Sequence, residues 1–176
     1  VLGCVNPVEK VIELVHRNGG VVLVDAAQSA PHMKVDVQAL DADFVAFSGH
    51  KLMAPMGIGV LYGKEKLLDA MPPFLTGGEM IETVSRYDAV YAELPHKFEA
   101  GTVNAGGAVG LAAAIDYLES YGMDKLHAVE QELTAYLFRG MKAIPHIHVL
   151  GSDREDNHTG IVSFAVDQVH PHAVSY

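Results

Sequence analysis

Phe44-Val45-Ala46-Phe47-Ser48-Gly49-His50-Lys51 is the stretch on which the fold turns: four apolar residues run straight into a Ser-Gly-His-Lys segment. An apolar run without polar alternation is the pattern of a strand inside a sheet, and the polar residues at its C-terminal end stand where α/β sheets place ligands. Upstream, Val21-Val22-Leu23-Val24 repeats the pattern and ends on Asp25, as expected of a parallel strand covered on both faces. Two such strands lying side by side bring Asp25, Gln28, Ser48, His50 and Lys51 into one crevice.

Working outward, Asn6 reads as a helix N-cap with Pro7 at the first helical position and Glu9 three residues on. Val8, Val11, Ile12 and Val15 then repeat at helical spacing up to a stop at Asn18-Gly19-Gly20. Beyond Lys51, the run Ile58 to Tyr62, set off by Gly57 and Gly59, predicts a third strand, and helical pattern resumes over 64–71. Pro72, Pro73, Gly77 and Gly78 open an irregular stretch reaching Pro95, read as a long functional loop. Ala105 to Tyr121 predicts a helix packed closely on the sheet. Asp124 to Ile144 predicts a longer amphipathic one whose Leu126, Val129, Leu133, Leu137 and Met141 form core. Two strands, 146–150 and 160–166, begin a second, smaller sheet, and the order of elements gives an α/β fold.

With 176 residues and 49% hydrophobic content the chain can bury a real core. Its 12 Lys and Arg against 22 Asp and Glu, a net charge of -10, and the lack of any basic run exclude nucleic acid as a partner. Cys4, the single cysteine, excludes an intramolecular disulfide framework and fits a reducing cytoplasm. No apolar run approaches the roughly 18 residues of a membrane span. The pairs His146/His148 and His170/His172 lack a third ligand at a recognisable spacing, so no metal site is expected. The chain opens without Met and stops shortly after His170-Pro171-His172; both ends read as cuts.

Lys51, Asp25 and the Ser48/His50 pair at two neighbouring strand ends match the needs of pyridoxal 5'-phosphate (PLP): an amine to form a Schiff base, a carboxylate to keep the pyridine nitrogen protonated, and donors for the phosphate. The motifs Val24-Asp-Ala-Ala-Gln28, Phe47-Ser-Gly-His-Lys51 and Gly57-Ile-Gly-Val-Leu-Tyr62 resemble those of the class V aminotransferase-like PLP enzymes of fold type I. Gly77-Gly-Glu-Met80 and Phe98-Glu-Ala-Gly-Thr102, followed by Asn104 and Gly106-Gly107, are similar to the SufS-type branch of the cysteine desulfurases.

That resemblance implies a mostly parallel sheet flanked by helices. Residues 1–122 would belong to the large PLP-binding domain, and 123–176 to a linking helix and the start of a small C-terminal domain. It implies that Lys51 carries the cofactor, Asp25 pairs with its ring nitrogen, Gln28 with its phenolic oxygen, and Ser48 and His50 with its phosphate. Thr102 would reach the phosphate in the second subunit of a homodimer. The implied reaction converts L-cysteine to L-alanine, passing sulfur to an enzyme cysteine and on to an acceptor protein for iron-sulfur assembly. That cysteine is expected beyond Tyr176, and Cys4 is given no catalytic role. Selenocysteine lyase, a related lyase or epimerase, and a non-catalytic module keeping the fold are the competing readings.

Each residue also has a plain alternative. A Lys after Ser-Gly-His is commonly a solvated surface lysine, Asp25 can bond the backbone of the turn after its strand, and Thr102 can cap the helix that follows.

Overall fold

Leu23–Asp25 forms β1, Phe44–Ser48 β2 and Gly59–Gly63 β3, hydrogen-bonded in the order β1-β2-β3. The computed structural model, which describes residues 2–175, pairs β1 with β2 in parallel, Asp25 opposite Ala46, and β2 with β3 antiparallel, Ser48 opposite Gly59. The expected mostly parallel sheet is thus represented among the described residues by one parallel and one antiparallel pair. Helices α1 (Val8–Arg17) and α2 (Val37–Leu40) accompany it. The core consists of Ile12, Ala26, Ala42 and Val45, with Val8, Val22, Val24, Leu40, Phe47 and Tyr62 packed around them. Leu23, on the other face of β1, is 59% exposed, so among the described residues that strand is covered on one face and not on both.

Two local expectations about α1 need correction. Pro7, not Asn6, occupies the N-cap position, and no side chain caps the helix; Asn6 contributes its carbonyl, which accepts the Val8 N–H at 2.8 Å. The stop is as the sequence implies, with the Gly19 and Gly20 N–H groups closing on the His16 and Val15 carbonyls.

An ionic knot around the buried Asp43 ties the sheet together at the edge where β1 and β2 begin. Asp43 accepts from the Val22 N–H at 2.8 Å, pairs with His16 Nε2 at 2.8 Å and lies 3.1 Å from Lys64 Nζ, which also meets Asp41 at 2.7 Å. Burial pushes the Asp43 carboxyl up, but the bonds from His16, Val22 and Lys64 outweigh it and bring it down to about 2.

After α3 (Glu65–Ala70), the stretch read as a loop holds a hairpin, β4 (Ile81–Val84) and β5 (Ala89–Tyr91). A register shift between Ile81 and Thr83 interrupts the period-two pattern that would have marked it. Gly122 alone separates α4 (Ala105–Tyr121) from α5 (Met123–Lys142). β6 (Ile147–Val149) and β7 (Phe164–Val166) pair antiparallel as a separate small sheet, and α6 (Pro171–Val174) follows. The expected α5 core stripe is corrected. The buried residues of that helix are Thr134 and Phe138, the latter packed on the His158 ring at 5.0 Å, whereas Val129, Leu133 and Leu137 are exposed. The acidic loop after β6 is exposed, with surface ion pairs from Asp153 to Lys142 and from Glu155 to Arg139 of α5.

Candidate active site

The parallel pairing of β1 and β2 puts their C-terminal ends on one edge of the sheet. Asp25 closes β1, and Ser48 lies two residues past its register partner Ala46. Beyond Ser48 the chain turns at once into a 3-10 helix, Gly49–Leu52, that carries His50 and Lys51. The turn is possible because Gly49 is a glycine: a Cβ there would stand 2.7 Å from Ile58 Cγ2 and 3.0 Å from Ile58 O, the carbonyl that accepts the Gly49 N–H at 2.9 Å. Met53, in the left-handed conformation with φ 64°, ends the helix by donating its N–H to Gly49 O. The backbone bonds of this turn hold Lys51 half-buried at the strand end, and its Nζ has no hydrogen-bond or ion-pair partner among the described residues.

Asp25 is exposed, and its Oδ1 accepts the Ala27 N–H at 2.9 Å. The turn-stabilising role is therefore real, and the second carboxylate oxygen stays open. Gln28 is exposed in that same turn. Thr102 is not the cap of α4; Asn104 is, accepting the Gly107 N–H at 2.9 Å. Asn104 Nδ2 also donates to Gly57 O at 3.0 Å, which brings the Thr102 segment against the loop that follows Lys51. The Gly101 N–H meets Gly78 O at 2.9 Å, so the glycine pair 77–78 and the Phe98–Thr102 segment are joined as well. Asn104, which the resemblance names without giving it a role, makes both of these bonds with one side chain. Its signal in the sequence is an Asn three residues before a helical Gly.

The donor set fits PLP: an amine without a partner, a carboxylate with one oxygen open, and a hydroxyl and an imidazole on the same strand end. Other clusters are differently engaged. Cys4 Sγ accepts the Ser152 N–H at 3.2 Å, and Cys4 bridges to His158 in an antiparallel pair. His148 pairs with Asp167 at 2.7 Å, and the His170 and His172 rings meet edge to face at 4.9 Å. Among the described residues no three His, Cys, Asp or Glu side chains converge as a metal site would require.

The Aminotransferase class-V family model matches residues 1–176. The chain belongs to the class V aminotransferase family. Among class V relatives, a probable cysteine desulfurase of Streptomyces coelicolor is 51% identical over 174 residues, 99% of this chain and 42% of that protein. One from Halalkalibacterium halodurans is 50% identical, with 99% and 42% covered. The apo structure of the cysteine desulfurase from Thermococcus onnurineus superposes with a TM-score of 0.91 at 43% identity, covering 98% of this chain and 43% of that one. A C-DES mutant with glycine covalently linked to its PLP cofactor superposes at 0.83 with 30% identity, covering 98% and 46%. This class V chain has the PLP fold type I architecture, and it spans about 42% of the length of the curated relatives it matches. No helix among the described residues is long and apolar enough to cross a membrane.

Proposed function

We propose that this chain supplies the cofactor-binding part of a PLP-dependent cysteine desulfurase of the SufS type, acting as a homodimer in the cytoplasm and delivering sulfur to an acceptor protein for iron-sulfur cluster assembly. The observation that carries the reading is Lys51. It is an amine with no described partner, fixed at the end of β2 beside the strand that ends on Asp25.

PLP, when bound, supplies an electron sink that stabilises negative charge at the substrate Cα. Lys51 Nζ would attach it and, once displaced by the substrate amine, take the Cα proton as a general base. The open oxygen of Asp25 would hold a proton on the ring nitrogen, with the Ala27 N–H fixing the orientation of the carboxylate. Gln28 would donate to the phenolic oxygen, while Ser48 and His50 would hold the phosphate. Thr102 would reach the phosphate in the second subunit. We give the sulfur-accepting role to a cysteine other than Cys4, whose Sγ accepts the Ser152 N–H and whose backbone bridges to His158, away from the strand ends. Residues 1–122 would form part of the large domain, and 123–176 the linking helix and the start of the small one. The identities of about 50% with probable cysteine desulfurases favour L-cysteine as substrate.

A second reading has its own observation: the cystine C-S lyase C-DES, in complex with its product cysteine persulfide, superposes at TM-score 0.82 with 30% identity. The test is to load the full-length protein with PLP, reduce with borohydride and map the adduct by mass spectrometry. Labelling at Lys51, lost in Lys51→Ala, is expected, and a labelled Lys51→Ala protein would refute the assignment. Alanine formed from L-cysteine supports the desulfurase; cysteine persulfide formed from cystine, without alanine, supports the lyase.

A further inference from the structure

We infer that Asn104 is a positioning residue that latches the loop behind Lys51 to the start of α4, and so sets where the Lys51 amine and the Thr102 segment stand relative to one another. The inference rests on the reading of Lys51 as the cofactor-carrying residue.

The Asn104 amide works in two directions. Its Oδ1 accepts the Gly107 N–H at 2.9 Å, as an N-cap does, and its Nδ2 donates to Gly57 O at 3.0 Å across 47 residues of sequence. A helix start needs only the first of these bonds. The neighbourhood is shaped for the second. A Cβ on Gly107 would overlap the Asn104 amide, with Cγ 2.7 Å away, and a Cβ on Gly110, one turn on, would stand 2.7 Å from Pro55 Cδ and Cγ. The glycine face of α4 thus admits Pro55 and the Asn104 amide where any side chain would push them off. Between Lys51 and Gly57 the chain has few other ties: the Met53 and Ala54 N–H groups fold back onto Gly49 O. Without the Asn104 bond, the far end of the loop would depend on the seat of Pro55 against Gly110 and on its junction with β3.

Two variants of the full-length protein test the latch, and the first separates it from the cap. Asn104→Asp keeps an acceptor for the Gly107 N–H but sets an oxygen against Gly57 O in place of a donor. Gly107→Ala keeps Asn104 and fills the space of its amide. Because Ala is favoured over Gly inside a helix, a purely helical role for residue 107 predicts a more stable protein. The latch predicts that both variants speed hydrogen exchange at the Met53 and Ala54 amides about tenfold, the scale of one lost hydrogen bond. Exchange in β1 and β2 should keep its wild-type rate, and PLP should be lost faster on dilution by a similar factor.

Wild-type exchange at Met53 and Ala54 in both variants would overturn the latch. Faster exchange with unchanged PLP retention would overturn its role in placing Lys51. If wild-type protein takes no PLP on Lys51, the functional reading fails instead, and the exchange measurement still decides whether Asn104 holds the loop.

Discussion

Two aspartates show how much one carboxylate can owe to its surroundings. Asp25 bonds the backbone two residues on, which any strand-end Asp does; what sets it apart is the open oxygen on the edge that carries Lys51. Asp25→Asn keeps an acceptor for the Ala27 N–H but loses the charge. Alanine formation by the full-length enzyme is expected to fall by about 10²-fold or more, the scale of removing one preorganised electrostatic partner, with PLP still attached to Lys51. Undiminished turnover would reduce Asp25 to a turn residue. Asp43 owes its charge to His16, Val22 and Lys64, which hold its carboxyl at about 2 against an ordinary 3.8. Because the folded value is depressed, the contribution is fully present above about pH 4 to 5 and is lost as pH falls from there toward 2, for a total on the order of 2 kcal/mol. Asp43→Asn should therefore lose about that much stability at neutral pH and flatten the acid limb of a pH–stability curve measured by urea unfolding. Asp25 was legible in the sequence because it ends an apolar run. Asp43 was not, since its partners lie 27 and 21 residues away on either side and share no periodicity with it.

Elements were legible where one face repeats and obscure where tertiary contacts decide. The run Ala105–Tyr121 forms one helix with the predicted ends, since Ala is its commonest residue and Gly122 stops it. The β4–β5 hairpin escaped notice because the shift after Ile81 breaks alternation, and its turn, Ser85 to Asp88, contains no glycine; Ser85 Oγ accepts the Tyr87 and Asp88 N–H groups in place of one. The α5 stripe was a correct period assigned to the wrong face, because only the packing on His158 shows which side is inward. Lys97 makes the same point for a single side chain. It is nearly buried, with Nζ donating to Leu68 O at 3.2 Å and Asp69 O at 2.7 Å, so it closes the C-terminal end of α3 and pins the segment that leads to Thr102. Lys97→Met keeps the aliphatic stem and drops the donors; denaturant unfolding should show a loss of about 1–3 kcal/mol. No loss would mean that water satisfies those carbonyls equally well.

At the scale of the molecule, the three small sheets and two long helices of the described residues bury a modest core and leave much apolar surface outside. Val129, Leu133, Tyr136 and Leu137 share one face of α5 at helical spacing, with Leu133 63% and Tyr136 76% exposed. Contiguous apolar faces of more than a few hundred Å² are rare on free monomers. In a 176-residue chain carrying net charge -10, long-range repulsion opposes association, but it is screened beyond about 8 Å at physiological salt. Apolar attraction at contact therefore wins as concentration rises. The chain 1–176 prepared alone is expected to self-associate in sedimentation velocity runs, more strongly at high salt, and the double change Leu133→Glu and Tyr136→Lys should shift it toward monomer without changing far-UV circular dichroism. A concentration-independent monomer would show that this face is shielded in solution, and association unaffected by the double change would move the contact to other exposed apolar side chains such as Leu14 of α1 or Leu23 of β1.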